Sequence, residues 1–82
     1  MNVLIVGASL IGSQVARVLV ENGQRPVLFD KAHQHSAIAD IVDLASVDIE
    51  IGDILRPLEL VSAAQKYEIT DIVHLAANPM LT

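Results

Sequence analysis

The first 30 residues contain the pattern that most constrains how this chain folds. A short apolar run at residues 3–6 leads into a small-residue turn that contains Gly7 and Gly12. A segment with helical periodicity follows, and then a second apolar run, residues 27–29, which is followed directly by Asp30. Strand, tight turn, helix and strand in this order predict a unit whose two strands lie parallel in a sheet.

The turn has the composition of a binding site for the pyrophosphate of a dinucleotide. Gly7 can adopt backbone angles that a side chain forbids, and Gly12 allows the helix to pack closely on the sheet. The first turn of the helix, with Leu10 and Ile11, would then present its amides to the anion. Ser9 stands where a second glycine is usual, and its hydroxyl could donate to a phosphate oxygen. On the turn alone, a glycine-rich turn without a ligand explains the pattern equally well.

Asp30 adds a second group suited to a dinucleotide. It follows Gly12 by 18 residues, where a carboxylate accepts hydrogen bonds from the adenosine ribose. Its charge would repel a 2′-phosphate, so NAD is favoured over NADP, although Lys31 beside it offers a cation to such a phosphate. The alternative is a turn-forming aspartate after a strand. Turn, helix and acid together favour dinucleotide binding.

The rest of the chain continues the alternation of strands and helices. We predict strands over residues 2–6, 26–29, 47–51 and 71–76, and helices over residues 10–22, 37–44 and 57–67. Short connections predict a parallel sheet, and right-handed crossovers with a return past the first strand predict the order 3-2-1-4. The ligand site then lies at the crevice between strands one and four.

Periodicity and position also predict how particular residues pack. The first helix is expected to bury a face made of Ile11, Val15, Val18 and Leu19. His74 is expected to be a hydrogen-bonded histidine in an interior strand. A loose acidic stretch is expected to be mostly a solvated surface, and its members are Asp40, Asp43, Asp48 and Glu50.

Composition narrows the class of protein. The 82 residues make at most one small domain, and a content of 52% hydrophobic and 18% charged residues argues against disorder. A net charge of -5 argues against a nucleic-acid surface. The absence of cysteine excludes disulfides and thiolate zinc and is compatible with a cytoplasmic location. His33 and His35 have no apparent third ligand, so no metal site is predicted. No apolar run reaches the roughly 20 residues that a membrane span requires.

Two further segments give the chain a resemblance to a known family. Gly52-Asp53-Ile54 follows the third predicted strand, and the fourth contains the run Ile72-Val73-His74-Leu75-Ala76-Ala77. With these, the chain resembles the N-terminal part of the extended short-chain dehydrogenases/reductases, which include NAD-dependent epimerases and dehydratases of nucleotide sugars. The resemblance implies an α/β architecture, here part of a Rossmann fold, with NAD as cofactor.

The resemblance also implies roles for individual residues. Matches to the family's phosphate turn and ribose acceptor are Gly7, Ile11, Gly12 and Asp30. Asp53 would accept a hydrogen bond from the adenine amino group, and Ile54 would pack on the ring. The run that passes along the pyrophosphate and the nicotinamide ribose is Leu75, Ala76 and Ala77.

Two departures from the family pattern bear on function. The turn is one residue shorter than the usual G-x-x-G-x-x-G, and the catalytic Tyr-x-x-x-Lys has no counterpart. The one tyrosine, Tyr67, is followed four residues later by Asp71, so a packing role is expected for it. Residues 1–82 are therefore expected to form the N-terminal, cofactor-binding part of a larger domain, without catalytic residues.

Two other interpretations remain open from the sequence. The chain is also similar to the nucleotide-sensing regulatory domains of potassium-transport systems, which pair a glycine-rich turn with an acid at the end of the second strand. Alternatively, the shortened turn has lost its affinity, which would make the chain a remnant that binds no cofactor. An apolar fourth strand would leave an exposed sheet edge, so we expect self-association, or coverage by the remainder of a longer chain.

Overall fold

A computed structural model of the chain describes residues 1–7, 10–32 and 35–75. The strands are β1 (Val3–Val6), β2 (Val27–Asp30), β3 (Asp48–Ile51) and β4 (Asp71–His74). The helices are α1 (Leu10–Glu21), α2 (His35–Ala39) and α3 (Pro57–Lys66), and a 3₁₀ turn spans Leu44–Ser46. The strands form one parallel sheet in the order β3-β2-β1-β4, which confirms the predicted topology.

The two faces of the sheet are covered by two hydrophobic clusters. The α1 face holds the buried residues Val3, Ile5, Ala16, Leu28, Ile38, Val42 and Val47. The α3 face holds Leu4, Val6, Val27, Phe29 and Ala63. Strand β1 is therefore buried on both faces, as its uninterrupted apolar run predicts for an inner strand of a parallel sheet.

Helix α1 packs through a face that only partly coincides with the predicted one. Its buried residues are Gly12, Ser13 and Ala16. From the predicted face, Val15 and Leu19 are partly buried, but Ile11 is 62% exposed and Val18 is 50% exposed. A Cβ at position 12 would collide with the carbonyl oxygen of Gly7. The close approach at Gly12 thus determines which side of the helix meets the sheet, and hydrophobic periodicity alone does not.

The second helix is shorter than predicted. It ends at Ala39, whereas the sequence suggested a helix over residues 37–44. The side chain of Asp43 accepts a hydrogen bond from the amide of Ala45 (3.0 Å) and so caps the 3₁₀ turn. Aspartate side chains compete in this way for backbone amides, which favours turns over a continued helix.

Strand β3 is held by its acidic residues, and the expectation of a merely solvated stretch is wrong for them. Asp48 forms an ion pair with Arg25 (3.1 Å), and Arg25 also donates to the carbonyl of Ala45 (2.8 Å). Glu50 accepts from Tyr67 Oη (2.8 Å) and from Lys66 Nζ (3.3 Å). Both acids bind cations from other elements, which the local sequence does not reveal.

Tyr67 connects the end of α3 to β3. Its ring packs against the hydrophobic cluster of the α3 face, which confirms the packing role predicted for it. Burial raises the pKa of the Tyr67 phenol, and the hydrogen bond to the Glu50 carboxylate raises it further. The phenol therefore stays protonated at neutral pH and donates to Glu50.

Strand β4 pairs with β1 and forms one edge of the described sheet. On its α3 face Ile72 is 52% exposed, and His74 is exposed as well. The expectation of a buried histidine is therefore wrong, since no described element covers this part of β4. The predicted continuation of this strand to residue 76 lies partly outside the described residues.

Candidate functional site

The carboxyl ends of all four strands meet at one edge of the sheet. The amide of Leu75, after β4, donates to the last carbonyl of β1 (2.8 Å). The amide of Gly7, after β1, donates to a carbonyl near the end of β2 (2.9 Å), and that of Gly52, after β3, donates to the last carbonyl of β2 (2.9 Å). Site residues predicted from four separate segments are thus brought to one edge.

The glycine turn is built on a close backbone contact. Gly7 has a φ of 110°, a conformation that glycine adopts without strain. Gly12 lies in the first turn of α1, directly against the carbonyl of Gly7. Leu10 and Ile11 open the helix at the carboxyl edge, and their side chains are 65% and 62% exposed. The start of a helix carries a partial positive charge. Ser9 lies outside the described residues.

Asp30 ends β2 and is partly exposed. Its Oδ1 accepts a hydrogen bond from the amide of Lys31 (2.7 Å), which orients the carboxylate at the strand end. Strand alternation places its side chain on the same sheet face as Leu28, and that is the face covered by α1. The carboxylate and the start of α1 therefore occupy the same side of the carboxyl edge.

Asp53 is held in place from several directions. Its Oδ1 accepts from the amide of Leu55 (2.9 Å), and its own amide donates to Glu59 Oε1 (3.0 Å). Its Oδ2 lies 3.7 Å from Lys31 Nζ. Ile54, the next residue, packs against the cluster on the α3 face. Lys31 thus joins the ends of β2 and β3 across the candidate site.

The sequence alone did not predict the roles of two residues, Glu59 and Gly52, in the segment that contains Asp53. Glu59 is the third residue of α3, where a glutamate often reaches back to amides that precede the helix, and this spacing is a usable signal. Gly52 lets the chain pass over Phe29, because a Cβ at position 52 would lie 2.5 Å from Phe29 Cζ. Nothing in the local sequence places Phe29 next to Gly52.

The remaining predicted residues are only partly described. Leu75 is 38% exposed at the end of β4, beside the carboxyl end of β1. Ala76 and Ala77 lie outside the described residues, as does His33. Within residues 1–7, 10–32 and 35–75, no group of histidines and acids is arranged to hold a metal ion.

The arrangement suits a ligand that combines an anion with hydroxyl groups. The start of α1 favours negative charge, and the carboxylates of Asp30 and Asp53 accept hydrogen bonds from hydroxyl or amino groups. Tyr67 is engaged with Glu50 on the α3 face.

No helix in the described part of the chain is long and apolar enough to cross a membrane.

The sequence matches the family described as NAD dependent epimerase/dehydratase over residues 3–81. The chain belongs to this family. The predicted resemblance is thereby confirmed, and the match favours it over the regulatory-domain interpretation. No curated protein matches the chain.

Solved structures share the fold of this member of the family. The dTDP-glucose 4,6-dehydratase of Bacillus anthracis str. Ames, in complex with NAD, matches with a TM-score of 0.81 and 22% identity, over 98% of this chain and 28% of that chain. A UDP-glucose 4-epimerase matches with a TM-score of 0.77 and 27% identity, over 95% of this chain and 23% of that one. The Bordetella bronchiseptica enzyme WbmG, in complex with NAD, matches with a TM-score of 0.78 and 22% identity, over 95% and 25%. The chain therefore spans about a quarter of these structures.

Proposed function

We propose that residues 1–82 form the N-terminal, NAD-binding part of an epimerase or dehydratase. The observation that carries this proposal is the set of residues that lie together at the carboxyl ends of the strands. Gly7 and Gly12 bring the start of α1 against the end of β1, and Asp30 ends the neighbouring strand on the same face of the sheet. This combination provides an anion site next to a ribose acceptor.

The residues present fit a dinucleotide at three points. The contact between Gly12 and the Gly7 carbonyl leaves no room for a Cβ, as expected where a helix is drawn tightly onto a phosphate turn. Asp30 presents a carboxylate for ribose hydroxyls, and its charge favours NAD over NADP. Asp53 and Ile54, after β3, provide an acceptor and an apolar side chain for the adenine.

The residues of this chain support a role in cofactor binding but not in proton transfer. Bound NAD supplies a hydride acceptor, and the residues of this chain bind and orient it. The phenol of Tyr67 donates to Glu50 and has a raised pKa, which makes it a poor general base. We therefore place proton transfer and substrate binding in a part of the enzyme other than these residues.

The substrate class is proposed from the relatives. Two of the matching structures are named for nucleotide sugars, dTDP-glucose and UDP-glucose. We propose a nucleotide sugar, or a substrate of similar chemistry, for the enzyme to which this chain contributes its cofactor site.

Calorimetric titration of the 82-residue chain with NAD and with NADP, at matched ionic strength, tests the proposal. We expect NAD to bind more tightly. Asp30→Asn should weaken NAD binding by about tenfold or more, because a charge-assisted hydrogen bond to the ribose contributes about 1.5–3 kcal/mol. Asp40→Asn, which removes the same charge from an exposed position after α2, is the control and should leave the affinity unchanged.

Two results would contradict the proposal. A folded chain that binds neither dinucleotide would identify it as a remnant that has lost the cofactor. Equal loss of NAD affinity in the Asp30 and Asp40 variants would show that the carboxylate at the end of β2 makes no specific contribution to binding.

A further inference from the structure

Lys31 and Asp53 form an ion pair across the ends of β2 and β3, with Lys31 Nζ 3.7 Å from Asp53 Oδ2. The lysine directly follows Asp30, the residue proposed to hold the ribose. The Lys31 side chain is 64% exposed, whereas that of Asp53 is 24% exposed. The cation that directly follows Asp30 in sequence is therefore paired with an acid in the segment after β3.

We infer that this ion pair is a specificity device, in which Asp53 holds Lys31 away from the ribose and thereby disfavours NADP. The inference rests on the proposed function, because it concerns how the same site distinguishes two dinucleotides. It assigns to Asp53 a role toward Lys31, in addition to its proposed role as an acceptor for adenine.

The side chains of Asp53 and Lys31 differ in how firmly they are held, which indicates which of the two can move. Asp53 is anchored by Leu55, whose amide donates to its carboxylate, and by Glu59, which accepts from its amide. The backbone amide of Lys31 donates to Asp30, and within the described part of the chain its 64% exposed side chain is held by the ion pair with Asp53. The carboxylate of Asp53 is thus the fixed partner, and the ammonium of Lys31 is the group that can move.

NAD and NADP differ in the group at the 2′ position of the adenosine ribose. NAD carries a ribose 2′-hydroxyl, which donates to Asp30 and requires no cation. NADP carries a 2′-phosphate, which Asp30 repels and which needs a nearby cation to offset that repulsion. Arg56, another cation near Asp53 in sequence, forms an ion pair with Glu59 (3.6 Å). In this arrangement the charge of Lys31 is already partly offset by Asp53, so Lys31 offsets less of the repulsion between Asp30 and a 2′-phosphate.

Asp53→Asn tests the inference, because an asparagine oxygen still accepts from the Leu55 amide but no longer holds an ammonium group by charge. We expect the ratio of NADP affinity to NAD affinity to rise about two- to fivefold, which corresponds to the release of one partly exposed ion pair. The ratio cancels any effect of the substitution on adenine binding, since both ligands carry the same adenine. Circular dichroism verifies that each variant is folded.

A second variant separates release of Lys31 from loss of direct repulsion between Asp53 and the phosphate. In a Lys31→Met background, Asp53→Asn should change the ratio by less than about 1.5-fold, because repulsion across solvent is screened. Asp40→Asn in the wild-type background is the control for net charge. It should leave the ratio unchanged.

The outcomes distinguish this inference from the proposed function. If the wild-type chain binds neither dinucleotide, both are overturned. If NAD binds but Asp53→Asn leaves the ratio unchanged, or raises it equally with and without Lys31, the specificity device is overturned while the NAD site stands.

Discussion

Replacing Gly12 with alanine tests the backbone contact on which the proposed site depends. The added Cβ would collide with the Gly7 carbonyl oxygen and lie 3.2 Å from the Gly7 carbonyl carbon and 3.5 Å from Ile5 Cγ2. The nearest obstructing atoms belong to the backbone and cannot rotate away, so α1 must shift outward. Overpacking against backbone atoms is expected to cost about 3 kcal/mol, near the upper end of the usual range.

Alanine also has a higher helix propensity than glycine, which offsets about 1 kcal/mol of this cost. The net loss in the free energy of unfolding is therefore about 2 kcal/mol. A domain of this size has a total stability of about 4–12 kcal/mol, so the variant should still fold. Its melting temperature should fall by about 8–16 °C.

Urea unfolding followed by circular dichroism measures the stability, and calorimetry measures the NAD affinity of the folded variant. We expect NAD affinity to fall about tenfold or more, because the shift of α1 moves its first amides away from the anion. Gly23→Ala is the matched control. Gly23 lies two residues after the end of α1, has a φ of 81° and has no atom within 4 Å of an added Cβ, so alanine there should cost about 1 kcal/mol through backbone strain alone.

The Gly23 variant should keep the NAD affinity of the wild-type chain. A Gly12→Ala variant as stable as the wild type would refute the close approach of α1 to Gly7. NAD affinities that fall in both variants in proportion to their stability would refute the assignment of the anion site to this turn.

Two further predictions concern the α3 side of the sheet. Tyr67→Phe should cost about 1 kcal/mol at pH 7, measured by urea unfolding, because Glu50 loses a hydrogen bond. Because the Tyr67 pKa is higher in the folded chain, the protonated phenol contributes stability below its ordinary pKa of 10.0, and this contribution is lost as the pH rises above it. The difference in the free energy of unfolding between the wild type and Tyr67→Phe should therefore shrink at high pH. A growing difference would contradict this. Ile72 is 52% exposed on the edge strand β4, and Ile72→Lys should shift sedimentation toward monomer because a charge disfavours pairing of that edge with another chain. Val18→Lys, at a position of α1 that is 50% exposed, is the control and should not do so. Equal effects would argue against association through β4.

Much of the architecture could be predicted because it depends on local patterns. Short apolar runs separated by helical segments predicted the parallel sheet, and crossover handedness predicted its strand order. The acid at the end of β2 could be located because strand ends are marked by a change from apolar to polar residues. Asp30 was found in this way, whereas the role of Asp53 was implied by the resemblance to the family.

Packing within the elements was predicted less well. Periodicity placed Ile11 and Val18 in the core, although both are largely exposed, because it ranks residues by hydrophobicity and ignores how near a backbone can approach. His74 was expected to be buried on the basis of an apolar strand, yet burial depends on whether another element covers that strand. Neither property is contained in the strand or helix itself.

The amino-acid sequence by itself determined the strands, the glycine turn and the chemical types available at the carboxyl edge, because these follow from backbone sterics and apolar patterning over a few neighbouring residues. Only the tertiary structure decided which charges meet. Lys31 lies 3.7 Å from Asp53 although 22 positions separate them, and Glu50 meets Tyr67 across 17 positions. Such pairs form because strand order and crossover geometry bring distant segments together, and no local pattern specifies those distances.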